Sequence, residues 1–166
     1  MSKGIPFRST LSGFRSQDLP IRWADVLVVG SGIAGLSAAL EAAEHGTVLL
    51  VTKKELGISN TSMAQGGIAC CLSRTEEDFQ AHEEDTKKAG GALCDDEVVS
   101  IVVREGPAAV TKLIDWGCQF DKETSGELSL CVEGGHSRPR ILHSEGDATG
   151  KEISRTLVEM VRANKQ

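Results

Sequence analysis

The chain has 166 residues, 40% hydrophobic and 25% charged, with 24 acidic against 18 basic side chains and a net charge of −6. This length suits one domain and this composition excludes a disordered or fibrous chain, while the acidity argues against nucleic acid or an anionic membrane surface as the main partner. No apolar run approaches the ~20 residues that span a bilayer, and two Trp, four Phe and no Tyr leave few stacking platforms for single strands.

Residues 1–23 read as a basic flexible tail: Lys3, Arg8 and Arg15 stand against Asp18, and the apolar stretch of a secretory signal is missing. A transit peptide is the alternative. The first strong element is Ala24 to Gly30, whose run of β-branched and aliphatic residues predicts a strand buried on both faces. Leu36 to His45 predicts a helix stopped by Gly46 at its C′ position, and Thr47 to Thr52 predicts a second buried strand. Together they make a right-handed β–α–β unit. From Glu55 to Leu72 the pattern fails, leaving a long polar, glycine-containing loop of the kind that is usually functional.

Thr75-Glu-Glu-Asp78 predicts a capping-box start to a helix that runs to Lys88 and ends at Gly90-Gly91. Asp95 or Asp96 caps a further helix through Arg104, and Pro107 starts a third that ends at Gly117. Cys118 to His143 reads as short strands and turns, with a hairpin at Thr124-Ser-Gly126. The last helix is Lys151 to Ala163, with Ile153, Leu157, Met160 and Val161 on one stripe. Two parallel strands are few for a doubly wound sheet, which continues from such a helix into another strand, so the chain reads as the front part of something larger.

Cys70, Cys71, Cys94, Cys118 and Cys131 are odd in number, without a C-x-x-C pair or a repeated spacing. They read as free thiols in a reducing cytoplasm rather than as a disulfide, zinc or iron–sulfur framework. Cys70 and Cys71 have no partner base in the sequence pattern and read as packing residues.

The chemistry is concentrated in three segments. Gly30-Ser-Gly-Ile-Ala-Gly35 follows a strand and opens a helix, the context in which G-x-G-x-x-G binds a dinucleotide. Gly30 serves the tight turn, Gly32 the approach of a pyrophosphate, and Gly35 the packing of helix on strand, while Ser31, Ile33 and Ala34 present the helix N-terminus to the phosphates. The second strand ends Thr52-Lys53-Lys54-Glu55, where an acid would normally bind the ribose. Lys53 fits either a 2′-phosphate, hence NADP, or a flavin protein that replaces the acid, and Glu55 is an acid placed one turn late. Asn60-Thr61-Ser62-Met63-Ala64-Gln65-Gly66-Gly67 is bare enough for its backbone to approach a flat ring system.

At this segment the sequence resembles the fumarate reductase/succinate dehydrogenase flavoprotein superfamily, in which a loop ending Ala-Gln-Gly-Gly contacts the flavin. The glycine turn, Lys53 and Asn60 to Gly67 all match it. Val132-Glu-Gly-Gly-His-Ser-Arg-Pro-Arg-Ile-Leu-His143, then Gly146-Asp-Ala-Thr-Gly150, is similar to the block of the L-aspartate oxidase family, as is His82-Glu-Glu-Asp-Thr86. Arg138-Pro139 departs from the commoner His-Arg of that block.

The resemblance implies an α/β fold: a Rossmann-type FAD-binding domain with a parallel sheet, incomplete as given. Residues 24–166 would form its N-terminal part, with the rest of that domain, a capping domain and a helical domain lying outside the chain. It implies non-covalent FAD, because Asn60 stands where membrane-bound members carry the flavin on a His. The reaction implied is oxidation of L-aspartate to iminoaspartate with O2 or fumarate as acceptor, feeding quinolinate synthase in NAD biosynthesis. Glu133 is the expected substrate contact, through the α-ammonium group. His136 and His143 are expected to be structural, with substrate or flavin carbonyl contact as the alternative, and His82 to be structural. The family's catalytic Arg and His have no counterpart in these residues. The alternatives are a soluble fumarate reductase-like enzyme and a non-catalytic FAD or NADP module.

Overall fold

A computed structural model describes residues 20–164. Most of the expected tail, residues 1–19, therefore lies outside the described residues, and residues 20–23 run exposed without helix or strand.

The chain begins with β1 (Val26–Val29), α1 (Ile33–Ala42) and β2 (Val48–Val51). β1 and β2 pair in parallel, Val26 opposite Val48 through Val29 opposite Val51. One face is covered by α1: Val28 and Leu50 point towards it, and Leu50 packs on the core. The other face is open, leaving Leu27 61% and Val29 78% exposed. Burial on both faces is thus not found, because only the α1 side of these strands is packed. The C′ role given to Gly46 also fails. Its φ is not positive, and the chain leaves α1 at Ala43 in a right-handed conformation. Gly46 is needed for space, since a Cβ there would sit 2.8 Å from Asp25 Oδ2. Asp25 accepts from Thr47 N (2.8 Å) and Thr47 Oγ1 (2.7 Å) and fastens the starts of the two strands together.

The long loop is more ordered than its composition suggests. It contains a 3-10 turn at Thr61–Met63 and a short strand β3 (Ile68–Ala69), which pairs antiparallel with β4 (Ile141–Leu142). α2 (Glu76–Gly90) starts at Thr75, whose hydroxyl accepts from Asp78 N at 3.3 Å. Asp78 does not complete the capping box; its carboxylate takes Ser73 Oγ and Arg140 instead.

α3 (Asp96–Asp115) is one helix, capped by Asp95 through Glu97 N and Val98 N. Pro107 lies inside it rather than starting a third helix. A proline there forfeits one hydrogen bond and costs ~3 kcal/mol. The apolar stripe Val103, Pro107, Val110 and Leu113 is buried as a unit, and this continuous packing outweighs the break.

The hairpin turn forms as expected, with Gly126 at φ +89° and Lys122 bridged to Leu128. α4 (Thr149–Ala163) packs on α1 and on the 61–63 turn. The core gathers Leu36, Cys70, Val110, Phe120, Leu142 and Leu157, so Cys70 is a packing residue. No helix among the described residues is long and apolar enough to cross a membrane.

Candidate functional site

Gly30 adopts φ +111° and its N–H donates to Val51 O at 2.8 Å, which turns the chain sharply off β1. A side chain at Gly35 would collide with the Gly30 carbonyl, its Cβ falling 2.9 Å from the carbonyl carbon. The helix therefore approaches the strand as closely as a pyrophosphate turn requires. Ser31 is buried and shares a 2.7 Å hydrogen bond with Thr52 at the end of β2. The helix N-terminus is capped from a distance: Ile33 N donates to Thr61 Oγ1 at 3.0 Å. Ile33 and Ala34 thus start α1 under the hydroxyl of a residue in the glycine-ended loop.

A cleft of about 310 Å³ opens here, lined among others by Gly30, Ser31, Lys53, Asn60 and Met63. It brings the glycine turn, the lysine after β2 and the start of the loop together. A turn with Gly30 in the left-handed region and Gly35 packed bare on its carbonyl fits a dinucleotide. Ser62 faces inward instead, donating to Ser59 O at 2.8 Å, and Met63 is exposed.

The loop's second half is fixed by distant elements. Gly150 N donates to Ala64 O at 3.3 Å, and a Cβ on Gly150 would lie 2.7 Å from that oxygen. Gln65 reaches Asp147 Oδ2 at 3.4 Å. Gly66 takes φ +79° with open space about it. Gly67 is bare for a packing reason: a Cβ there would fall on Ile141 Cγ2, 2.6 Å from Leu142 O and 2.9 Å from His143 Nε2.

Beyond Gly67 lies Glu133, whose Oε1 is 2.7 Å from His143 Nε2. Glu133 is half-exposed and opens a turn in which its carbonyl accepts from His136 N, with Gly135 at φ +86°. Arg140 holds this turn onto α2. It is fully buried, donating to Asp85 Oδ2 (2.6 Å) and Asp78 Oδ1 (3.4 Å), and its Nη1 stands 3.2 Å from His136 Nδ1. A guanidinium only donates, so His136 Nδ1 accepts and its ring proton sits on Nε2. Burial pushes Asp85 up, but the Ser137 N–H and hydroxyl and the Arg140 cation outweigh it and hold the carboxyl at about 2. Burial, helped by the Arg140 charge, lowers His82, which is buried 3.4 Å from Cys71 Sγ. Burial raises Cys70 to about 12 and Cys71 to about 11, so both are neutral thiols without nucleophilic character.

Sequence reasoning singled out the glycine turn, the loop and Glu133. It missed Thr61 as the cap of α1, Arg140 as the clamp and His143 as the partner of Glu133. Each of these bonds joins residues far apart in sequence or across a turn, where no local spacing rule applies. A cavity of about 610 Å³ around Gly117–Lys122 includes none of these residues. Two of its acids are engaged in the fold: Asp121 accepts from Glu145 N and Glu152 from Gln119 N.

A phosphate turn, a cleft and a fixed glycine-ended loop define a dinucleotide-binding flavoprotein segment. The FAD binding domain family matches residues 25–165, and the chain belongs to it; its cofactor is FAD. It is similar to L-aspartate oxidase of Streptomyces coelicolor, 53% identical over 84% of this chain and 24% of that protein. It is also similar to the chloroplastic L-aspartate oxidase of Arabidopsis thaliana, 44% identical over 96% of this chain and 25% of that protein. The chain thus spans about a quarter of the length of the curated relatives it matches. Among solved structures it resembles the Mycobacterium smegmatis Sdh1 complex, with 38% identity and a TM-score of 0.76 over 83% of this chain and 24% of that one. A quinol-fumarate reductase gives 32% identity and a TM-score of 0.77 over 86% of this chain and 25% of that one.

Proposed function

We propose that residues 24–166 are the N-terminal part of the FAD-binding domain of an L-aspartate oxidase. In this reading β1–α1–β2 is the first unit of a Rossmann-type sheet, and the capping and helical domains belong to sequence outside this chain. The observation that carries it is the reach of one loop. Its Thr61 end caps the phosphate-turn helix, and its Gly67 end backs onto His143, the partner of Glu133. A cofactor cradle and a carboxylate thus stand at two ends of the same segment.

When bound, FAD supplies a two-electron acceptor for the Cα–H bond of L-aspartate, giving iminoaspartate, with O2 or fumarate as the final acceptor. The chain's own residues bind and orient. The Gly30–Gly35 turn and the positive end of α1 hold the pyrophosphate. Lys53 stands beside that cleft, and the bare backbone from Ala64 to Gly67 would hold the ring system without a covalent link. Glu133 pairs with the substrate ammonium group, a simple attraction of opposite charges. The catalytic Arg and His of the family lie outside these residues. Iminoaspartate is unstable, and we place its consumption with quinolinate synthase in NAD biosynthesis, in the cytoplasm, where five free thiols stay reduced.

The test is a difference spectrum of the FAD-loaded chain with L-aspartate and, separately, succinate. Aspartate is expected to perturb the flavin bands, and Glu133→Gln to weaken that response at least tenfold while sparing succinate. An equal response in the variant contradicts the role of Glu133. Aspartate-dependent peroxide from the pure chain contradicts the absence of catalytic groups, and succinate formed from fumarate with an added reductant, but no oxidation of aspartate, favours a soluble fumarate reductase.

A further inference from the structure

We propose that His143 is the positioning residue of Glu133 and makes its grip on an amino group depend on pH. This rests on the reading of Glu133 as the ammonium contact. Glu133 Oε1 lies 2.7 Å from His143 Nε2. A carboxylate oxygen only accepts, so Nε2 carries the ring proton whether the imidazole is neutral or charged. The pair therefore keeps its geometry through the titration while its charge changes. With His143 neutral, it carries one negative charge and presents the second oxygen of Glu133 to a cation. With His143 protonated, the pair is neutral overall and the cation loses its counter-charge.

The surroundings favour this coupling. His143 is mostly buried while Glu133 is half-exposed, so the histidine is the fixed member and the carboxylate the one that meets solvent or ligand. Gly67 packs against the ring, leaving no room for a side chain that would part the two. The remaining titratable groups of the cleft that His143 lines are Asp121 and Cys131. Asp121 accepts from Glu145 N at 3.0 Å and Gly146 N at 3.4 Å, and its own N–H donates to His143 O at 2.8 Å. Its carboxylate is thus turned to the 145–146 turn. Beside Gly67, where the ring nitrogen lies, stand the Ile141 side chain and the Leu142 carbonyl, neither of them titratable. Glu133 is the charged group bonded to the ring.

The coupling is reciprocal: whatever His143 protonation takes from the affinity of an amino cation, that cation must take from the proton affinity of His143. The test follows the four histidine rings by NMR through pH, in the purified chain and in Glu133→Gln, then with FAD and L-aspartate or succinate. Glu133→Gln is expected to weaken the hold of the His143 ring on its proton, because the carboxylate bonded to it is gone. L-aspartate is expected to lower the His143 midpoint in the unmodified chain, and succinate, lacking the amino group, to leave it or raise it. In His143→Gln, whose amide still donates to Glu133, aspartate affinity should become flat between about pH 5 and pH 8.

A His143 midpoint unmoved by Glu133→Gln overturns the proposal even if aspartate binds. A midpoint that moves in the variant but responds alike to aspartate and succinate overturns the switch together with the assignment of Glu133 to the substrate. The cofactor reading is then decided separately, by FAD binding. A pH slope that persists in His143→Gln also overturns it.

Discussion

At the scale of single residues, the glycines divide into those that need space and those that do not, and opposite outcomes follow. A Cβ on Gly35 meets the Gly30 main chain, which cannot swing aside. Gly35→Ala should cost about 1–3 kcal/mol, as overpacking does, and lower FAD affinity as well. Gly106, inside α3 with nothing within 4 Å of its Cβ position, should gain about 0.5–1 kcal/mol as Ala. Urea midpoints of the two variants check both signs. The Arg140 cluster contributes to the acid response. His82 is held below its ordinary value of 6.5, so the unfolded chain takes up its proton first and stability falls as pH drops below about 6.5. Asp85 is held at about 2 against an ordinary 3.8. Its contribution is complete above about pH 4 and is lost as pH falls towards 2. Thermal unfolding from pH 8 to pH 2 should show both phases, and Asp85→Asn should shrink the second, which Glu76, also held at about 2, shares. An acid phase of equal size in both proteins contradicts this assignment.

At the scale of elements, the caps and the stripes compete, and the stripes win. Asp95 caps α3 through two backbone N–H groups, and Asp95→Ala should cost about 1 kcal/mol, read as a lower melting temperature with unchanged cofactor affinity. An unchanged melting temperature contradicts the cap. Local signals were legible wherever one segment settles its own structure: the β–α–β unit, the Thr75 and Asp95 caps, the Gly126 hairpin and the stripe of α4. They misled where tertiary packing decides. Pro107 reads as a helix start, yet the stripe from Val103 to Leu113 is buried along one continuous helix. Gly46 reads as a helix stop, yet its requirement is clearance for Asp25. The aliphatic runs of β1 and β2 read as buried twice over, yet one face carries α1 and the other is open. The site shows the same divide. Its glycine turn and loop are visible as motifs, whereas the bonds Ile33–Thr61, Arg140–Asp85 and Glu133–His143 cross between segments.

At the scale of the molecule, one loop ties the parts together. Residues 60–67 touch α1 through Thr61, α4 through Ala64 and Gly150, and β4 through Gly67. A ligand seated on the phosphate turn is thereby connected to the Glu133 turn through packed main chain rather than through a flexible tether. That connection is the central claim, and it predicts which nucleotide the cleft accepts. Lys53 by itself suits a 2′-phosphate, while the loop suits a flavin. The direct measurement is a titration of the purified chain with FAD and with NADP, followed by flavin fluorescence and melting temperature. A ligand confined to the folded state raises stability by RT ln(1 + [L]/Kd), about 2.7 kcal/mol at a hundredfold excess over Kd. FAD is predicted to raise the melting temperature and NADP to leave it unchanged. Stabilisation by NADP with none by FAD would contradict the account.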